Sequence, residues 1–172
     1  MYNNIDLRTK STFIAGVVAM IVSATLVGVP TAAALDQIHT SLDVPASVDK
    51  LWSIVANVGN DPKYWNQIHT VNTISKTGNT VQADTTLGPF NAKGHEIVML
   101  HPKQSVATNI TQGPVIGTRL LTLSPLSGNK TRIDVSWSID MPGIPFFARG
   151  FAKDNFIKST EQALNAIAQA AR

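Results

Sequence analysis

Residues 131–140, TRIDVSWSID, alternate with a strict period of two. Ile133, Val135, Trp137 and Ile139 share one face, while Arg132, Asp134, Ser136, Ser138 and Asp140 share the other. Such a strand meets a core on one side and water on the other, as in an antiparallel sheet. A rigid bend follows, Met141-Pro142-Gly143-Ile144-Pro145. The spacing then predicts one long helix over residues 146–172, with Phe147, Phe151, Ile157, Leu164, Ile167 and Ala171 as a broad apolar stripe. Ala163, Ala166, Ala168, Ala170 and Ala171 raise its helix propensity. A long helix with one apolar side needs a layer to lie on, and the strands before it supply one.

Those strands are delimited by turn signals. Residues 37–44 alternate, with Ile38, Thr40, Leu42 and Val44 on one parity, and Pro45 ends the run. Ser47 is placed to cap a helix in which Val48, Leu51, Trp52 and Val55 recur at helical spacing. Asp61-Pro62 begins a second short helical turn with Tyr64 and Trp65. Strands are then predicted over 70–75, 81–87, 91–100, 105–111 and 115–123, before the alternating one. They are separated by Gly78-Asn79, Gly88-Pro89, His101-Pro102, Gly113-Pro114 and Pro125 with Ser127-Gly128-Asn129.

Ser11 to Leu35 contains no charged residue, and its centre, FIAGVVAMIVSATLVGV, is apolar on all sides. The run is long enough to span a membrane, and Ala32-Ala33-Ala34 also offers a signal-peptidase pattern. Residues 1–35 therefore read as a signal peptide or an N-terminal membrane anchor, and residues 36–172 as one domain. Arg8 and Lys10 on the N-terminal flank orient that domain to the extracytoplasmic side, membrane-anchored or secreted.

Composition removes several function classes. The chain has no cysteine, which excludes disulfides, thiolate nucleophiles and cysteine zinc sites. Its 172 residues carry a formal charge of +3, but no two basic residues are adjacent, and a nucleic-acid groove needs concentrated positive charge. His39, His69, His95 and His101 show no metal-ligand spacing, so no metal is expected. No G-x-S-x-G, phosphate-binding loop or dinucleotide fingerprint occurs, and no cofactor or catalytic residue is assigned.

The segments VPASVDKLWSIVANVGNDPKYW, EIVMLHPK, LSPLSGNKTRIDVSW and MPGIPFFARGF, in that order and spacing, resemble the START/polyketide-cyclase-like (SRPBCC) superfamily from about residue 37 to the end. The resemblance implies an α+β helix-grip fold, in which a curved antiparallel sheet of about seven strands grips the long C-terminal helix. It also implies a cavity between sheet and helix for a hydrophobic small molecule or lipid. A fold-level likeness assigns no reaction.

Strand parity then nominates the inward side chains. They are Val81, Ala83, Thr85 and Leu87; Gly94, Glu96, Val98 and Leu100; Arg119, Leu121 and Leu123; and Val135, Trp137 and Ile139. Trp65, Phe147 and Phe151 are expected at the cavity mouth. Glu96 and Arg119 are the two charges in inward registers, expected to meet inside and grip a polar head group or pair with each other. His95 points to the face opposite Glu96 and cannot act with it. Three functions fit. A binding or carrier protein is preferred. A polyketide cyclase or dehydratase would have Glu96, Arg119 and His69 as raw material. A partner-binding module would have its cavity filled by side chains.

Overall fold

The computed structural model describes residues 35–88 and 90–172. The predicted anchor or signal segment lies outside the described residues. Among the described residues, no helix is long and apolar enough to cross a membrane. The chain runs β1 (Asp36–Val44), α1 (Val48–Val55), a single 3-10 turn (Val58–Asn60) and α2 (Asp61–Tyr64). Six strands follow: β2 (Ile68–Thr77), β3 (Thr80–Leu87), β4 (Ala92–His101), β5 (Ser105–Gln112), β6 (Ile116–Leu126) and β7 (Lys130–Asp140). A 3-10 turn (Phe146–Ala148) leads into α3 (Arg149–Ala170).

The strands form one antiparallel sheet in the order β1-β7-β6-β5-β4-β3-β2. Strands β2 to β7 pair in sequence as a meander, and β1 returns beside β7. Outside the core, Arg132 and Asp43 are direct register partners joined by a two-pronged ion pair, with Nε–Oδ1 at 2.6 Å and Nη2–Oδ2 at 3.0 Å. This sets the register of β1 on β7.

Inward parity holds as read. Thr131, Ile133, Val135, Trp137 and Ile139 are all buried on β7, as are Gly94, Glu96, Val98 and Leu100 on β4. An extra residue, Thr111, is accommodated in β5 where His95 pairs with Gln112 but Glu96 with Ile110. This bulge bends the sheet without flipping β4, because the surplus residue lies on the partner strand. Ser47 caps α1 as expected, its hydroxyl accepting the Lys50 N–H at 3.3 Å.

Element ends move by up to three residues from the sequence reading, and two of these shifts are instructive. Pro125 was expected to end β6, yet the strand continues to Leu126. Leu123 N–H donates towards β5, to the Gln104 carbonyl, so Pro125, two residues on, turns its nitrogen to the same side. There β5 has already ended, and the missing donor leaves nothing unpaired. The long helix begins at Arg149 rather than at 146, after the 3-10 turn.

Helix α3 divides into two halves. Thr160, Ala163, Leu164, Ile167, Ala168 and Ala171 recur at three- and four-residue spacing and are buried, packing with Leu51 and Val55 of α1 and with the sheet. The half before Ser159 is exposed or half-buried. One end of the sheet is thus closed by helices, and the other is left open beneath the start of α3.

Gly117 lets β6 bend at the open end. Its φ is +131°, and a β-carbon there would collide with the carbonyl oxygen of Ser138 on β7. Gly117→Ala is expected to lower the unfolding free energy by about 2 kcal/mol or more. Urea denaturation checks this; an unchanged midpoint would mean that the strand relaxes freely around the new methyl.

Candidate functional site

The open end encloses a cavity of about 720 Å³ between the sheet and the first half of α3. The reading in which side chains fill this space is thereby set aside. Most of its wall is apolar: Trp65 and Ile68, Leu87 and Ala92, Ile110 and Val115, Met141 and Ile144, and Phe156 from α3. Trp137 forms the centre of the floor. It meets Phe156 edge-on at 4.7 Å between ring centroids and Trp65 edge-on at 5.7 Å. These T-shaped contacts set an edge against a π-face and fix the rings.

Beside Trp137 sits Arg119, its direct neighbour across the β6–β7 register. Arg119 is 4% exposed, so its charge needs partners. Its Nη2 donates to Asp61 Oδ2 at 2.8 Å and to Thr108 Oγ1 at 3.2 Å. Its guanidinium carbon lies 4.4 Å from the Trp65 ring centroid and 5.5 Å from that of Trp137, within cation–π range of both. Asp61 and Trp65 open and close the short α2, so this one cation ties α2 to the sheet.

Glu96 and Arg119 do both line the cavity, as strand parity indicated. They form no ion pair with each other within 4 Å. Arg119 pairs with Asp61 instead, a residue the sequence presented as an ordinary helix start before proline. An Asp-Pro pair opens so many short helices that nothing local marks this carboxylate as buried. Only the fold, by setting α2 over β6, brings it to an arginine 58 positions away.

Among the described residues, three buried side-chain atoms have no hydrogen-bond partner: Glu96 Oε1, Arg119 Nε and Trp137 Nε1. All three belong to residues that line the cavity. Burial pushes the Glu96 carboxyl above its ordinary pKa, with Arg119 opposing and Asp61 adding to the rise. Burial also lifts Asp61, against the pull of Arg119. The floor therefore offers two N–H donors, from Arg119 and Trp137, and a carboxyl that its surroundings favour in the protonated form.

The other predicted site residues fall into three groups. Trp65, Thr85, Glu96, Arg119 and Trp137 line the cavity. Val81, Ala83, Val98, Leu100, Leu121, Leu123, Val135 and Ile139 are buried but belong to the packed core, outside the cavity wall. Parity identifies the inward face, but not where along a strand packing gives way to space. Phe147 and Phe151 were expected at the cavity mouth as lining residues. They stand at that end of the domain but are 89% and 74% exposed and are not part of the cavity wall, because they lie before the buried half of α3 begins. His69 is not in the wall and bonds Asn91 Oδ1 at 3.0 Å; His95 pairs with Asp84 on the outer face, as its register requires. Asn66, which donates to Gln162 and accepts from Ser159, adds with them a polar rim that sequence reading missed.

Residues 36–172 match the model of a family described as polyketide cyclase / dehydrase and lipid transport. No curated protein matches the chain. Among solved structures, the Zhui aromatase/cyclase from Streptomyces sp. R1128 superposes with a TM-score of 0.71 at 12% identity, covering 80% of this chain and 93% of that one. TTHA0849 from Thermus thermophilus gives 0.69 at 11% identity, covering 79% and 97%. Ara h 8.0201 gives 0.57 at 15% identity, covering 80% and 97%. At these identities the likeness concerns the fold: a helix-grip domain of the SRPBCC superfamily.

Two substitutions separate the carboxyls. Asp61→Ala strands the Arg119 charge in the interior and is expected to cost about 3 kcal/mol in urea denaturation. Glu96→Gln should act in the opposite direction. A carboxyl with a raised folded pKa stabilises the fold only while protonated, and that contribution is lost as pH rises through the folded pKa. At pH 7 the glutamine variant should be the more stable, and the gap should narrow as pH falls towards the ordinary carboxylate range.

Proposed function

We propose, from the premise that this chain belongs to the polyketide cyclase / dehydrase and lipid transport family, that it is a binding or carrier protein for a hydrophobic small molecule or lipid. One observation carries the reading: a cavity of about 720 Å³ with apolar walls and three unpartnered polar atoms on its floor. Sites that enclose small molecules commonly occupy about 300–1,000 Å³ and pair apolar walls with a few polar groups. A buried polar atom left unbonded costs free energy, and a ligand that satisfies it recovers that cost as affinity.

The floor narrows the ligand. Arg119 is already balanced by Asp61, and Glu96 sits where its neutral form is favoured. The matching ligand has an apolar body and an uncharged oxygenated end, a hydroxyl or carbonyl. That oxygen would accept from Arg119 Nε and Trp137 Nε1 while the Glu96 carboxyl donates to it.

A second reading, a cyclase or dehydratase acting on a hydrophobic substrate, is favoured by Glu96 alone. A buried carboxyl whose pKa is raised by burial is suited to general acid work. The Zhui neighbour is an aromatase/cyclase, a likeness that supports this reading at the level of fold. The uncharged run of residues 11–35 supports a domain on the extracytoplasmic side, held by or released from residues 1–35.

Organic extraction of the full chain purified from its own host should yield one apolar, oxygen-bearing compound in near-stoichiometric amount. Arg119→Met should reduce its recovery at least about tenfold, the worth of one charge-assisted hydrogen bond. Glu96→Gln distinguishes the two functions: a carrier loses affinity for the extracted compound, whereas an enzyme keeps binding it and stops converting it. Extraction of nothing from the native chain, with no loss of any binding in Arg119→Met, would refute both.

A further inference from the structure

The mouth of the cavity carries the most exposed apolar side chains among the described residues. Phe90, Phe147, Phe146 and Phe151 are 92%, 89%, 88% and 74% exposed, against 57% for the next, Ile74. Isolated apolar residues on a surface are ordinary, but four phenylalanines standing clear of the protein at one end are not. The register places them together. The start of β4, the end of β5, the start of β6, the end of β7 and the start of β1 all lie at one end of the sheet. Phe90 is in the β3–β4 turn and lines the mouth itself; Phe146 follows the lining residue Ile144 by two positions, and Phe151 precedes the lining residue Ala152.

The same end receives the chain from residues 11–35, the uncharged apolar run. β1 begins at Asp36 directly after it. Asp36 Oδ1 accepts from Lys153 Nζ at 2.9 Å, two residues beyond Phe151. The point at which the domain joins that run in sequence, Asp36, is thus at the same end of the sheet as the phenylalanines. Residues 146–160 also carry three basic side chains, Arg149, Lys153 and Lys158, to one acidic, Asp154, which suits a phosphate headgroup layer. Arg149 and Lys153 are already engaged by Asp140 and Asp36, so apolar insertion rather than charge dominates.

We propose that the open end of the domain docks on a phospholipid bilayer, with Phe90, Phe146, Phe147 and Phe151 inserted among the acyl chains and the cavity mouth facing the lipid. Docking of this kind buries phenyl rings at the headgroup–acyl boundary and depends little on salt. A ligand can then pass between membrane and cavity without crossing water. The docking surface stands on the exposed rings and the chain path, independently of which molecule fills the cavity.

The chain has no cysteine, so a single introduced thiol can be labelled uniquely. Phe90→Cys, Phe147→Cys and Met99→Cys, the last on the outer face of β4, would carry an environment-sensitive fluorophore on the full chain. Each is mixed with phosphatidylcholine vesicles containing lipids with nitroxide-bearing acyl chains. The labels at 90 and 147 should be quenched severalfold, that at 99 hardly at all, with the same result in high salt. Equal quenching at the three positions overturns the proposal. So does shielding of the labels at 90 and 147 from an aqueous quencher before vesicles are added, which would mean that residues 11–35 or a second copy already cover the rings.

Discussion

The architecture of the open end depends on one buried cation. Arg119 rises from the middle of the sheet and is almost wholly buried, and four of its neighbours answer to its charge. Asp61 neutralises it, Thr108 accepts from it, and Trp65 and Trp137 flank it with their π-faces. These four neighbours come from three separate parts of the chain: α2 with its terminal tryptophan, β5, and β7. Their convergence holds the short α2, too brief to persist alone, against the strands. A buried ion pair of this kind adds little net stability over an apolar replacement. Its value here is positional, since it fixes the two tryptophans that bound the cavity.

The pair also explains why space remains. The closed end is filled by small and branched side chains that interlock, with Leu51, Ile133, Leu164 and Ile167 almost wholly buried. Towards the mouth the inward positions pass to Arg119, Glu96, Thr85 and Trp137, which cannot interdigitate with the same economy. The extra residue at Thr111 and the positive φ of Gly117 both fall at this end of the sheet. Polarity, curvature and vacancy thus coincide along the sheet.

Much of this was legible beforehand. The period of two in residues 131–140, the Gly-Asn and Ser-Gly-Asn turns and the Leu164, Ile167 and Ala171 part of the stripe carried the strands, their succession along the chain and the helix that lies on them. These signals are local, and local periodicity is enough to assign a face. Glu96 and Arg119 were recognisable as cavity residues for the same reason: each is a charge in an inward register. Asp61 was not, because its burial arises from packing between α2 and β6 and leaves no trace in its own neighbourhood. Phe147 and Phe151 misled in the other direction. An apolar residue at helical spacing reads as core, and only the geometry of the bend after β7 reveals that these rings leave the protein altogether. Pro125 shows the same limit on a smaller scale, since whether a proline ends a strand depends on whether a neighbour is still present to want its hydrogen bond.

The division of α3 has a consequence for motion. Its second half is locked into the interior, whereas its first half touches the rest of the domain through Arg149, Lys153, Phe156, Ile157 and the rim around Ser159. Local opening costs least where few apolar contacts must be broken. One continuous helix therefore carries a gradient of opening free energy, from near-global at Ile167 to small at Gly150. Its amino-terminal turns, beside the cavity, therefore open at less cost than the half that seals the core.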